Sequence, residues 1–245
     1  MANVVAIIPA RSGSKGIVNK NLQEIASKSL LEWSFAAAQQ SNLIQSTYIS
    51  TDSKDYAEYA RSRGVLAPFL RPPEISLDSS TDFEFIKHFL EYIKSSAIRV
   101  DYLVHLRPTT PLRNPAIIDE AISIFVKNSN EWSSLRSVHE MSESAYKSFE
   151  ITQDGQLMTV FSKNTELDRS NAPRQSFPTT YIPNGYVDVL SVKFIENNEK
   201  LHGGKVFGFK TSEVREVDSH SDLEMIRLEE KLNPSMFNLL FGDNR

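Results

Sequence analysis

The stretch Ala6–Leu22, AIIPARSGSKGIVNKNL, decides how this chain is read. It continues a β-branched run begun at Val4, and Val4–Ile8 is short and apolar, as expected of a strand buried on both faces. Arg11, Lys15 and Lys20 then follow within one loop that also holds Gly13 and Gly16. The cations supply positive charge, and the glycines let the backbone approach a ligand closely and aim its N–H groups at it. Such a loop after a strand can hold a polyphosphate, or it can be an ordinary solvated turn. The Walker spacing GxxxxGK[ST] is absent, and SGSKGI lacks the glycine spacing of GxGxxG.

Outward from this loop, strand and helix patterns alternate. Ser29–Gln40 carries a broad apolar face and predicts a helix. Ser46–Asp52 predicts a strand, Ser53–Arg63 a helix stopped by Gly64, and Val65–Leu70 a third short strand. Thr81–Lys94 predicts a helix, Asp101–Leu106 a strand, and Ala116–Lys127 a helix capped by Asn114 with Pro115 in its first turn. Gly185–Val192 and Lys205–Lys210 predict strands, and Asp222–Leu232 a closing helix. The expectation is one α/β domain over residues 1–245: a Rossmann-like, mostly parallel sheet flanked by helices. Ligands of such sheets sit beyond the carboxyl ends of the strands. ARSGSKG, STD and RPTTPLR all fall there and should converge. Residues 139–183 break the rhythm. They hold a hairpin signal, TQDGQL, inside a polar insertion too long for a plain connection, and are expected to form an inserted arm.

Composition narrows the function. The 245 residues carry a formal charge of -4, so nucleic-acid binding by bulk electrostatics is not expected. There is no cysteine, which excludes disulfides, thiol nucleophiles and thiolate metal sites. The start does not read as a signal peptide, and no apolar run reaches the length of a membrane span; a cytoplasmic protein is expected. The five histidines are scattered and form no HxxxH pair.

Several motifs, in order, resemble those of the acylneuraminate cytidylyltransferase family. IPARSGSKGIVNKNL is similar to IPARGGSKGIPxKNL, departing at Ser12 and Val18. YISTDSKDYAEYARSRGV, FLRPPEISLDSS, LRPTTPLR, APRQSFPTTYIPNG and REVDSHSDL each resemble a family motif at the corresponding place. The resemblance implies a nucleotide-diphospho-sugar transferase fold. It also implies transfer of CMP from CTP to a nine-carbon 2-keto sugar acid, release of pyrophosphate, dependence on Mg2+, and a homodimer made through the 139–183 arm. It assigns the nucleotide to Arg11, Ser12, Gly13, Ser14, Lys15, Lys20, Asn21, Arg71, Asp82, Pro108 and Thr109. The sugar acid falls to Arg107, Thr110, Lys147, Arg174, Asn184, Gly185 and Asp188. The metal falls to Asp218 and Glu216, which share a face if that segment is a strand. Arg11, Lys20 and Asp218 carry the catalytic role. Read without the resemblance, Arg71 is also compatible with a structural salt bridge. On the same terms, Lys147 and Arg174 are compatible with surface charge.

Three pocket positions depart from the family pattern. Arg107 replaces a glutamine, Asp82 a serine near the base, and Asp188 a tyrosine expected shortly after Asn184-Gly185. A carboxylate at residue 82 can accept from cytosine N4–H2, can suit the paired donors of guanine, or can turn away to pair with Arg107. A base other than cytosine, an octulosonate-type sugar, and a silent sugar-nucleotide-binding relative therefore stand as alternatives.

Overall fold

The computed structural model describes residues 2–14, 16–161, 163 and 165–242. Lys15 lies outside them. The central sheet has six strands: β1 (Val4–Pro9), β4 (Ser46–Ser50), β5 (Tyr102–His105), β6 (Ser134–Glu140), β9 (Tyr181–Ser191) and β10 (Val206–Lys210). Their spatial order is β10-β6-β9-β5-β1-β4. β2 (Glu24–Ile25) with β3 (Lys28–Ser29), and β7 (Phe149–Ile151) with β8 (Leu157–Thr159), form two small antiparallel hairpins.

Alternation along β1 explains the layering. Val4, Ala6 and Ile8 face one side, where α1 (Leu30–Gln39), α2 (Lys54–Ser62), α4 (Pro115–Lys127), α6 (His220–Leu232) and α7 (Ser235–Phe241) cover them. Val5 and Ile7 face the other, covered by α3 (Asp82–Ser95) and α5 (Val192–Asn198). A strand with helices on both faces has no polar side to show, which is why β1 reads as an unbroken apolar run. Ser29 caps α1 and Asn114 caps α4 through side-chain oxygens.

The structure departs from the sequence reading in four ways. The sheet is mostly parallel, as expected, with β1–β4, β1–β5 and β6–β10 parallel, but β9 runs antiparallel to both neighbours. The strand expected over Val65–Leu70 contracts to a single bridge between Leu66 and Tyr48, because Pro68 has no N–H to give a ladder. β6 is absent from the sequence reading, since Ser134, Arg136, Ser137 and His139 mask its pattern; buried Ser137 accepts from Val187 N–H at 2.9 Å. Finally, β6 extends to Glu140 and β9 begins at Tyr181, so both strands enter the expected 139–183 arm. The excursion between them is residues 141–180, and its ends meet where Met141 N–H donates to Thr180 O at 3.0 Å.

Candidate active site

The loops after β1 and β5, with residues between Arg71 and Phe85, line one cleft of about 330 Å³. The loop after β1 is tethered, not free. Ser12 donates its backbone N–H and its hydroxyl to the two oxygens of Asp52, at 2.7 and 2.6 Å. Asp52 closes the STD motif after β4, so one carboxylate fixes the phosphate-type loop to the neighbouring strand. Buried Asn21 donates to Arg11 O at 3.1 Å and closes the loop from its far side. Gly13 has φ +74°, and a Cβ there would meet nothing within 4 Å, so its requirement is conformational. Gly16 is required for space, because a Cβ would lie 2.9 Å from Asp218 O.

Arg11 and Lys20 line the cleft, and Ser14 lies beside them. Arg11 pairs with Asp78 at 2.6 Å. Lys20 reaches across to Asp218 Oδ1 at 3.2 Å and Val217 O at 3.1 Å. Arg71 is buried; it donates to Ser50 Oγ and Ser50 O, and its guanidinium lies 4.8 Å from the Phe85 ring centroid. Burial lowers its pKa to about 10, partly offset by Asp52 and Asp82, and the group remains charged at neutral pH.

Residues 211–218 form no strand, contrary to the premise on which the two acids share a face. Their alternation survives. Val217 is fully buried between Glu216 and Asp218, and its N–H donates to Thr109 O at 2.7 Å. Glu216 lies over Gly185: a Cβ at Gly185 would sit 2.5 Å from Glu216 Oε1 and 2.9 Å from Thr110 Oγ1. Burial, with Asp218 nearby, pushes the Glu216 carboxyl above its ordinary range despite Arg107. Thr110 Oγ1 is buried without a hydrogen-bond partner among the described residues. Two carboxylates and a hydroxyl beside a phosphate-type loop are the oxygen donors that a hard cation takes together with substrate phosphates. Among the described residues no group of three or more His, Cys, Asp or Glu side chains converges as a ready-made metal cage.

The three departures from the family pattern prove to be neighbours. Arg107 donates to Asp188 Oδ2 at 2.9 Å and to Asp82 Oδ2 at 2.7 Å. Asp188 stands on β9 directly opposite His105 on β5 and Arg136 on β6, so the three form a row across the sheet. Its carboxylate lies 3.7 Å from His105 Nδ1 and 3.6 Å from Arg136 Nε, and it is 1% exposed. Burial would lower the Arg107 pKa, but Asp188 and Asp82 outweigh it and raise it. Burial, with Arg107 adding to it, holds His105 far below its ordinary value, hence neutral.

The remaining residues singled out from the sequence separate. Pro108 and Thr109 line the cleft. Asn184 is buried, with its amide donating to Thr211 Oγ1 at 2.7 Å and its oxygen accepting from Tyr186 N–H. Lys147 and Arg174 sit on the arm and do not line this cleft. Lys147 lies 3.9 Å from Glu143, and Arg174 pairs with Glu140 and donates to Met141 O.

Sequence reasoning missed two residues that build the site. Asp52 was visible as the last letter of STD. Arg113, the last of RPTTPLR, is wholly buried, and its guanidinium donates to the carbonyls of Tyr186, Gly185 and Arg107. It thereby ties the loop after β5 to β9. Burial lowers its pKa to about 9.

A family described as cytidylyltransferase matches residues 5–213. The chain is 33% identical over 226 residues to an N-acylneuraminate cytidylyltransferase of Escherichia coli O18:K1:H7, covering 90% of this chain and 49% of the relative. It is 27% identical to the pseudaminic acid cytidylyltransferase of Campylobacter jejuni, covering 94% of this chain and 97% of the relative. The chain thus spans about half the length of the first relative and nearly all of the second. A solved CMP:2-keto-3-deoxy-manno-octonic acid synthetase complexed with CTP superposes with a TM-score of 0.69 at 15% identity, over 94% of this chain and 99% of that one. At that identity the likeness is one of fold.

Proposed function

The chain belongs to the cytidylyltransferase family, and from that premise we propose that it moves CMP from CTP onto a nine-carbon 2-keto-3-deoxy sugar acid. The sugar is of the sialic, legionaminic or pseudaminic type, the product serves surface-glycan synthesis, and the enzyme works in the cytoplasm. The anomeric hydroxyl of the sugar acid attacks the α-phosphorus. The new O–P bond forms as the bond to pyrophosphate breaks, and the hydroxyl proton passes to solvent.

One observation carries the reading. Arg11 and Lys20 line the cleft, and Lys20 pairs at 3.2 Å with Asp218, two residues from Glu216 in the segment that borders it. Arg11 and Lys20 are suited to holding the triphosphate and offsetting charge on departing pyrophosphate, a task of positioning and electrostatics that needs no covalent nucleophile. The donor set fits Mg2+, with Asp218 and Glu216 as its protein ligands; when bound, the ion supplies charge neutralisation at the phosphates. Lys147 and Arg174 bind the sugar carboxylate, each exchanging an exposed glutamate partner for it.

The arm mediates a homodimer and brings Arg174 to the neighbouring site. Phe149, Ile151, Leu157 and Phe161 are exposed on it, apolar surface of the kind that interfaces cover. Among the described residues no helix is long and apolar enough to cross a membrane.

The test incubates the protein with Mg2+, CTP and a panel of 2-keto-3-deoxy sugar acids and measures pyrophosphate. Release should require all three. Asp218→Ala should cost at least about 10²-fold in kcat, with Glu216→Ala costing less. A folded sample that binds CTP but turns over no sugar acid would support the silent-relative reading instead.

A further inference from the structure

We infer that Arg107 and Asp82 together select the base, by leaving one carboxylate oxygen, and only one, to meet an exocyclic amino group. This deepens the reading above and rests on the cleft holding a nucleoside triphosphate.

The charge along the cleft is uneven. Arg11 and Lys20, at the end of β1, pair with acids that belong to exposed segments, Asp78 and Asp218. At the other end, Arg107 is neutralised by two carboxylates, one of them buried. Phe85 and Pro108 line the cleft next to Asp82 and Arg107, and the Arg71 guanidinium lies over the Phe85 ring. A triphosphate held by Arg11 and Lys20 leaves the uncharged, planar base to the part of the cleft where Asp52 and Asp82 offset Arg71, Asp82 and Asp188 offset Arg107, and Phe85 and Pro108 give apolar surface.

Asp82 is the one carboxylate lining the cleft among the described residues. Its position is fixed twice. It is the first residue of α3, whose start is set by the Thr81–Glu84 capping box, and a helix N-terminus favours a carboxylate. Its Oδ2 is taken by Arg107, which is itself anchored to buried Asp188. No hydrogen-bond donor reaches Asp82 Oδ1 among the described residues, and the side chain is 42% exposed.

An ionised carboxylate only accepts. A single open oxygen complements cytosine N4–H2. It opposes uracil, which presents an acceptor, O4, at that position. Guanine offers N1–H and N2–H2 side by side and needs both oxygens, of which Arg107 has removed one. Asp188 acts through Arg107 as a positioning residue.

The experiment measures kcat/KM for CTP, UTP and GTP in the wild type and in Asp82→Ala, Asp82→Ser, Arg107→Gln and Asp188→Asn. Ratios within one variant cancel any loss of folded protein. The wild type should favour CTP. Asp82→Ala and Asp82→Ser should each shrink the CTP/UTP ratio by about 10–10²-fold, the scale of one base-specific contact. Arg107→Gln should raise GTP relative to CTP by about 10-fold, and Asp188→Asn should move that ratio the same way. A CTP/UTP ratio within about twofold of wild type in both Asp82 variants, with CTP still consumed, would overturn the inference alone. Absence of turnover with every triphosphate in the wild type would instead overturn the reading on which it rests.

Discussion

Replacing Arg113 by Met tests whether the site is held together from beneath. The guanidinium is wholly buried, and among the described residues it has no carboxylate partner. It serves three backbone carbonyls, those of Tyr186 at 2.6 Å, Arg107 at 2.7 Å and Gly185 at 2.8 Å, and it also reaches Ser34 Oγ at 3.3 Å. Methionine fills much of the stem's volume but leaves those carbonyls unpaired, at about 1–3 kcal/mol each. Against this, the folded state no longer desolvates a charge, a relief of several kcal/mol. Three unpaired carbonyls near the top of that range, less this relief, leave an expected loss of about 3–5 kcal/mol. At about 2–3 kcal/mol per molar urea, the midpoint should fall by about 1–2.5 M with an unchanged slope. Arg113→Lys keeps the charge but reaches fewer carbonyls and should fall between. CTP affinity should drop as well, because one guanidinium nitrogen spans Arg107 O and Gly185 O. A loss below about 1 kcal/mol with a wild-type slope would show that water or local collapse satisfies the carbonyls, and the clamp would be discarded.

Gly185→Ala should destabilise the protein by about 1–3 kcal/mol, since φ is +62° and the new methyl meets Glu216 and Thr110; a melting curve and an Mg2+ titration of activity read it, and unchanged values of both would remove Gly185 from the site. Asp52→Asn should weaken CTP binding about tenfold with little change in melting temperature, because it loosens the Ser12 tether; calorimetric titration with CTP decides. Burial raises the Glu216 carboxyl, so the native state holds that proton more tightly than the unfolded chain does. The resulting stability is fully present below the ordinary glutamate range and is lost as pH rises through the raised native value. Glu216→Gln should therefore match wild type in acid and exceed it at neutral pH, and urea midpoints across pH showing the reverse order would contradict the burial of that carboxyl.

The α/β rhythm was legible because β1, buried on both faces, reads as an unbroken apolar run and the helices around it show apolar faces between polar strand ends. β6 was not, because a strand threaded with serine, arginine and histidine satisfies its polar groups only through neighbours distant in sequence. The direction of β9 was hidden for a related reason: its pattern states that it is buried, and direction depends on the path of the preceding 40 residues. The site was legible wherever charge and glycine fell at strand ends, as at Arg11, Lys20 and Arg107. Asp52 and Arg113 stood in these motifs yet went unassigned, since they bind mainly backbone groups, together with the hydroxyls of Ser12 and Ser34 far off in sequence, and such contacts leave no mark in sequence. Arg107, Asp82 and Asp188 each looked like an isolated departure, and only the fold shows them as one ion-paired group.

The antiparallel strand in the middle of the sheet bears on the order of assembly. β4, β1 and β5 form one hydrogen-bonded block and β6 with β10 another, and among the described residues β9 is the only strand that joins them. During synthesis the first block is complete by His105, while its bridging partner ends only at Ser191. Over that interval the β5 edge has no strand to pair with, and an open edge templates the wrong neighbour as readily as the right one. Release of the nascent chain before about residue 191 should yield insoluble product, and the step to solubility should coincide with emergence of β9. The same strand carries Asp188, the anchor of Arg107, so the chain joins its two blocks and fixes Arg107 in one step, ahead of β10 and the Glu216–Asp218 segment.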